Sequence, residues 1–482
     1  MGLLHIGLLL SCLVRLSSSY SCLDESGNSV DTWTALTSPT NGNYYYFDIN
    51  NQAVGFQKSL YNVDQSTNGA IMKTVAQVYS ASGEYAFGMY NDDPPGDYTP
   101  SSSTYAHSKG VIMTSATQGF WLVHSKPNWP NGSYALPFPD LIYAQSLECI
   151  TVSAATINTI AGGLKINRPY IYAQNITPAI EAQLPQLASW LSHQYNNTAL
   201  TSVTTIQTSG GRTFQQFAKS KSFGKSTWDD LVAPYYETPL NVETWILGSG
   251  GRMSSICGAN NTFLEYNIYQ VDDVKMPFGT NWSNTADHSK WANAVSRGSN
   301  ANQQSYSSPH GMLATCVGDT NRMCSQENRG GGALCTEENY YLWLAFNSSI
   351  AAVESCFEYY PCTSTSYVSS CYWCPYQPTY TPTRMPSNPT VTPSLFPTEK
   401  PTHEPTAPSH SNSLLGDDDL PFTQVYIHAF IHLFTYSLIS LSQNICVTID
   451  STSSTRCAYP FRWWSCMVCW LGYICTSLAA SL

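Results

Sequence analysis

The chain has 482 residues, 43% of them hydrophobic but only 11% charged, with a formal net charge of −11 at pH 7. That length allows two or three domains, and the apolar content is globular, which excludes a disordered chain. The acidic balance excludes passive nucleic-acid binding at neutral pH, since neutralising phosphates takes Lys and Arg. Protonating all 10 histidines would bring the charge to about −1, so an acidic compartment would remove most of the repulsion.

Residues 1–20 read as a cleaved signal peptide. Met1 to Val14 is apolar, too short to span a bilayer, and followed by small residues, although it lacks a basic n-region. Cleavage near Ser19 to Ser21 leaves Cys22 close to the mature N-terminus. Of 16 cysteines, Cys12 lies in the signal; in an exported chain the rest read as disulfides. Sequons at Asn131, Asn175, Asn196, Asn260, Asn281 and Asn347 predict glycosylated surface in an oxidising compartment.

Short apolar runs then alternate with turn residues. "EYAFGMYN" (84–91) predicts a strand stopped by "DDPPGDYTP". "KGVIMTS" (109–115) and "GFWLVHS" (119–125) predict two strands joined by a tight polar turn. Ile180, Leu184, Leu187 and Leu191 have helical spacing within 177–194, interrupted by Pro185. "LNVETWILG" (240–248) and "LEYNIYQV" (264–271) predict further strands. The pattern is α/β with much sheet, and long loops carry the polar motifs.

Residues 375–409 are Pro/Thr/Ser-rich and read as an extended stalk. Apolar stretches at 425–441 and 463–482 follow. The last resembles the discarded tail of a lipid-anchor signal, and a mistranslated 3′ region would look the same. "CYWC" (371–374) has metal-ligand spacing but no second ligand pair, so disulfides at the stalk base are the better reading than zinc. No other metal motif is present, and no cofactor is expected.

His107-Ser108-Lys109 recurs as His288-Ser289-Lys290. The bland reading is two polar turns that agree by accident; the sharp one is a single site built from two similar halves. A phosphodiester repels anionic nucleophiles. Two imidazoles on opposite faces of phosphorus can divide the work, one attacking and the other protonating the leaving oxygen and then activating water. A Lys two residues after each His would supply fixed positive charge for the phosphate oxygens.

With "CLDESGNSVDTW" (22–33), "YNDDPP" (90–95), "AHSKGV" (106–111), "GFWLVHSKPNWP" (119–130), "FQQFAKSKSFG" (214–224), "DHSKWA" (287–292), "CVGDTNR" and "RGGGALC" (316–335) in that order, the chain resembles the deoxyribonuclease II family, the acid endonuclease branch of the phospholipase D superfamily. The resemblance covers residues 22 to 356. The Asp that the superfamily places five positions after the Lys is absent, since Thr114 and Val295 stand there.

The resemblance implies a pseudo-symmetric pair of phospholipase-D-like halves, each a mixed sheet flanked by helices, over residues 21–200 and 201–362. A linker (363–412), disordered where it is Pro/Thr-rich, and a hydrophobic tail (413–482) follow. It implies endonucleolytic cleavage of DNA at acid pH without metal, through a phosphohistidine, leaving 3′-phosphate ends. His107, Lys109, His288 and Lys290 are the catalytic candidates. Asn128 and Asn321 are phosphate-contact candidates, with turn or capping roles as the alternative. His124, in a third His-Ser-Lys copy (124–126), reads as wall beside the site or as a substrate contact. Lys219 and Lys221, interleaved with Phe214, Phe217 and Phe223, suit a DNA groove or the basic face of an amphipathic helix. The family pattern suggests disulfides Cys22–Cys149, Cys257–Cys356 and Cys316–Cys335, with Cys324, Cys362, Cys371 and Cys374 outside it. The expected destination is the secretory pathway, lysosomal or extracellular, with membrane anchoring through the tail as an option. Oligomeric state has no signature. Two rivals remain: a non-catalytic or toxin-like glycoprotein retaining the fold, and a phosphodiesterase acting on lipid head groups.

Overall fold

The computed structural model describes residues 19–356, apart from 65–66, 97, 99–103, 135, 249, 258–263 and 296–310. All of these described residues belong to one compact unit. The expectations for residues 1–18, the Asn260 sequon, Cys362, Cys371, Cys374, the linker and the tail lie outside the described residues. Among those described, no helix is long and apolar enough to cross a membrane.

The mature N-terminus forms a small ribbon of β1 (Cys22–Leu23) and β2 (Ser29–Val30). The first large sheet takes β3 (Thr32–Thr37), β4 (Asn43–Asp48), β5 (Gln57–Asn62), β6 (Ala86–Asn91), β7 (Lys109–Thr114), β8 (Gln118–His124), β9 (Gln145–Ser153) and β10 (Ile171–Ile176). Their spatial order is β10-β6-β7-β8-β9-β3-β4-β5, antiparallel throughout. The central strands read as unbroken apolar runs because both faces are covered. Val111 and Met113 pack toward α1 (Gly69–Tyr79) with Ile71 and Val75, while Ile112 faces the other way. Period-two alternation therefore feeds two cores.

The second sheet uses β11 (Thr201–Gln207), β12 (Thr213–Lys219), β13 (Leu240–Thr244), β14 (Ile268–Met276), β15 (Thr280–Ser283), β16 (Lys290–Ala294), β17 (Thr315–Gly318) and β18 (Gly331–Thr336), with β19 (Ile350–Val353) joining β14. The order is β11-β12-β18-β17-β16-β13-β14-β15. It is mixed, because β13 and β14 run parallel. The order β6-β7-β8-β9-β3 in the first sheet matches β13-β16-β17-β18-β12 in the second, in the same chain sequence and all antiparallel. Trp121 and Ile150 of the first sheet share one core with Trp291, Val317 and Leu334 of the second. Ile157, Ile160 and Leu164 of α2 (Ala154–Asn167) and Leu187, Trp190 and Leu191 of α4 (Pro185–Leu191) complete it. The disulfides Cys22–Cys149, Cys257–Cys356 and Cys316–Cys335 tie loops and strands to this body. Cys324 is disulfide-bonded as well.

The interruption expected at Pro185 divides 177–194 into two short helices, α3 (Pro178–Gln183) and α4, because Pro185 cannot donate and restarts the helix at its first position. Two local expectations change. The strand expected at 264–271 is displaced to β14, where Val271, Val274 and Met276 face the core. "FQQFAK" is neither an amphipathic helix nor an open groove. It is strand β12, pinned between β11 and β18, and its Phe214 and Phe217 are buried in different cores. They cannot stack on bases.

Candidate active site

The two triplets sit at equivalent points of the two sheets. Each His precedes a strand that begins at its Lys, β7 in one case and β16 in the other. Each His is also held by the other half. The His107 N–H donates to the Gly330 carbonyl at 2.9 Å, and the His288 N–H donates to the Ala144 carbonyl at 2.9 Å. These bonds bring both triplets to one cleft of about 370 Å³, lined by His107, Lys109, His288 and Lys290 together with Asp92, Trp245, Asn321 and Arg329.

The "RGGG" run explains how the chains approach so closely. A Cβ on Gly330 would lie 2.0 Å from the Asn167 carbonyl oxygen, and one on Gly332 would lie 2.0 Å from that of Phe217. Only glycine fits where backbone meets backbone.

His107 Nδ1 lies 2.8 Å from the Asp319 carbonyl oxygen. A carbonyl only accepts, so Nδ1 carries the proton and the neutral ring's lone pair is on Nε2. Nε2 lies 3.9 Å from Asp92 Oδ2. Asp92 also accepts from Lys109 Nζ and, at 3.0 Å, from Arg329. Burial alone would raise the Asp92 carboxyl, but Lys109, His107 and Arg329 hold it far below the carboxylate range. Burial keeps His107 neutral, well below its usual value, despite Asp92.

His288 is held differently. Its ring is stacked on Tyr143, with centroids 4.4 Å apart and planes 6° apart, and meets Trp245 edge-on at 4.1 Å and 76°. Among the described residues no hydrogen bond engages its ring nitrogens. Burial, then the charges of Lys290 and Lys109, pushes the imidazole down to about 2. Lys290 Nζ donates to the His288 carbonyl. Burial, then Lys109, pulls its ammonium down to about 7. The middle serines differ too: Ser289 bonds Asp287, whereas the Ser108 hydroxyl is buried without a partner among the described residues.

The remaining candidates divide. Asn321 lines the cleft, with a buried Oδ1 that has no partner among the described residues. Asn128 does not line it. It is exposed, in a left-handed turn (φ 56°), donating from its backbone to the Asp93 carbonyl at 2.7 Å. His124 is 1% exposed, behind the site against Trp129, so it cannot touch substrate in this structure. Lys219 is buried and donates to the carbonyls of Gln326, Glu327 and Arg329 at the end of α6 (Cys324–Glu327), a capping role. Lys221 is exposed on a 3₁₀ turn outside the cleft lining.

Asp92 lies within "YNDDPP" and Arg329 opens "RGGG", yet nothing in the sequence marks either as a site residue. Tyr143 and Trp245 carried no signal at all, since an isolated aromatic reads as core. Among the described residues, no group of three or more His, Cys, Asp or Glu side chains is assembled to hold a metal. The sequons at Asn131, Asn175, Asn196, Asn281 and Asn347 are all at least partly exposed.

Three cations, two imidazoles and two carboxylates line this one cleft between the two sheets, an arrangement that suits a hydrolase acting on an anionic substrate. The pattern of the Deoxyribonuclease II family matches residues 21–356. The chain belongs to the deoxyribonuclease II family. It is 32% identical to deoxyribonuclease-2 of Caenorhabditis elegans over 400 residues, covering 74% of this chain and 100% of that protein. It is 31% identical to deoxyribonuclease-2-alpha of Rattus norvegicus over 367 residues, covering 72% and 98%. It is also 30% identical to plancitoxin-1 of Acanthaster planci over 377 residues, covering 75% and 97%.

Proposed function

We propose that this protein is an endonuclease that hydrolyses DNA phosphodiester bonds at acid pH with two histidines and no metal. The observation that carries the reading is that both His-Ser-Lys triplets, from different sheets, line a single cleft with Arg329. The matching strand order of the two sheets supports a pair of phospholipase-D-like halves, 21–200 and 201–362.

Lys109, Lys290 and Arg329 draw in the phosphate. The Nε2 lone pair of His107 attacks phosphorus, an N–P bond forms and the P–O5′ bond breaks. The leaving oxygen takes a proton from the His288 imidazolium. Neutral His288 then accepts a proton from water, whose oxygen attacks phosphorus. The N–P bond breaks and a 3′-phosphate leaves. Burial first, and the lysine charges after it, keep His288 unprotonated in the free enzyme; the bound anion offsets those charges and adds an attractive one of its own, so the acid gains its proton in the complex. Above about pH 7, Lys290 loses its charge and the phosphate loses a partner.

The disulfides and sequons suit the secretory pathway, with a lysosomal or extracellular destination. The test is plasmid nicking at pH 5 in EDTA, followed by end labelling. Ends that accept label only after phosphatase treatment of the 3′ terminus support the mechanism. Activity that needs Mg²⁺ and peaks above pH 7 overturns it. No nicking, with binding retained, points to a non-catalytic relative, and release of lipid head groups instead of nicking points to the lipid enzyme.

A further inference from the structure

Resting on the two-histidine reading above, we propose that Tyr143 is the positioning residue of His288, holding the imidazole face-to-face from the opposite half so that both ring nitrogens stay free for the proton. The parallel ring contact is 4.4 Å and 6°, Trp245 closes the edge at 4.1 Å, and Tyr143 meets Trp245 at 4.5 Å and 69°. The three rings fix one another through one parallel and two edge-on contacts.

The backbone fixes Tyr143 as firmly. Its neighbour Ala144 accepts from the His288 N–H and donates to the Ala286 carbonyl, both at 2.9 Å. These bonds make a parallel bridge between Ala144 and Asp287. Tyr143 and His288 are thus one residue away from the same bridge, on its opposite sides, and cannot slide apart without breaking it.

A ring held by a hydrogen bond, as His107 is, has one nitrogen committed. A ring that must give a proton and take another within one turnover gains from being held by its face instead. Tyrosine's π face also favours the imidazolium when it forms. Burial, and after it the charges of Lys290, Lys109, His107 and Lys126, oppose protonation of His288, so an attractive face beneath it matters.

The test uses the full chain from a secretory host and the variants Tyr143→Phe and Tyr143→Leu, assayed by nicking at limiting and saturating plasmid across pH 4–8. The expected result is Phe within about threefold of wild type. Leu should lose about tenfold to a hundredfold in kcat, the scale of a misplaced catalytic group, with KM little changed and the optimum moved to lower pH. If Leu does not fold, Tyr143→Met, which keeps bulk without a ring, carries the same expectation. Proton NMR gives a readout independent of activity. The His288 ring protons should lie upfield in wild type and Tyr143→Phe, and move downfield when the ring is lost. A ringless variant with wild-type kcat, a Phe variant as damaged as Leu, or unshifted His288 resonances overturns the proposal. Inactive wild-type protein with the upfield signals intact would instead count against the nuclease reading alone.

Discussion

The two histidines come from the same tripeptide at the same point of similar sheets, yet they are fastened by opposite means. His107 is held at Nδ1 by a carbonyl from the other half and faces a carboxylate at Nε2. His288 is held by Tyr143 and Trp245, and Trp245 stands next to the strand partner of Lys290 as Asp92 stands next to that of Lys109. Lys109 is paired with Asp92, while Lys290, among the described residues, donates only to a backbone carbonyl, and burial pulls its ammonium down to about 7. A repeated motif therefore does not mean a repeated environment. One half presents a fixed tautomer with a free lone pair, suited to attack. The other presents an imidazole with both nitrogens free, suited to moving protons.

The sharpest way to break this division is to remove each member. His107→Ala and His288→Ala should each cut nicking by about 10³-fold or more, and the double variant should fall little further, since an in-line relay fails with either member missing. Lys109→Ala and Lys290→Ala should be nearly as severe. His124→Ala should be milder, acting through packing against Trp129. Were His124→Ala the only inactive variant, the site would be misassigned.

Asp92→Asn comes next, because it strips the first half of the group that joins Lys109, Arg329 and His107. A loss on the order of tenfold to a hundredfold in kcat is expected from misplaced cations, measured beside Asp93→Asn, which should change activity by less.

The asymmetry of the lysines gives a smaller effect on binding. Lys290 is charged below about 7 and neutral above it. DNA affinity of the inert His107→Ala/His288→Ala protein, read by fluorescence anisotropy, should fall about tenfold as pH passes from 6 to 8, the scale of one charge-assisted hydrogen bond. Lys290→Arg should flatten that fall. An equal fall in the arginine variant would place the titration elsewhere.

The smallest effect compares the carboxyls that each half buries, Glu148 on β9 and Glu243 on β13. Burial raises Glu148 from 4.5 to about 8, and Thr34 donates to it. The folded protein then holds a proton that the unfolded chain has released, so stability is lost as pH rises from about 4.5 to 8. Glu148→Gln, which mimics the protonated form, should raise Tm by a few degrees at pH 7.5, at about 2–4 °C per kcal/mol, and leave it nearly unchanged at pH 4.5. A gain at pH 4.5 as large as that at pH 7.5 would mean that the carboxyl is not the titrating cause.

Much of this was legible in the chain itself. Strands β6, β7 and β8 follow from apolar runs bounded by turn residues, because a strand's burial pattern is local. The two triplets, the cysteines and the sequons are read directly from residue types. Family resemblance pointed to Asn321 and to the "RGGG" segment. What tertiary structure alone decided is which side chains meet. Asp92 and Arg329 are 237 residues apart, and Tyr143 reaches His288 only because a bridge at Ala144 joins the two halves. Lys219 and His124 carried residue types as suggestive as those of the catalytic candidates. Burial turned one into a helix cap and the other into core. Sequence specifies chemistry residue by residue, but the sign and strength of each charge depend on desolvation and on neighbours contributed by distant strands, and those exist only once the sheets have packed.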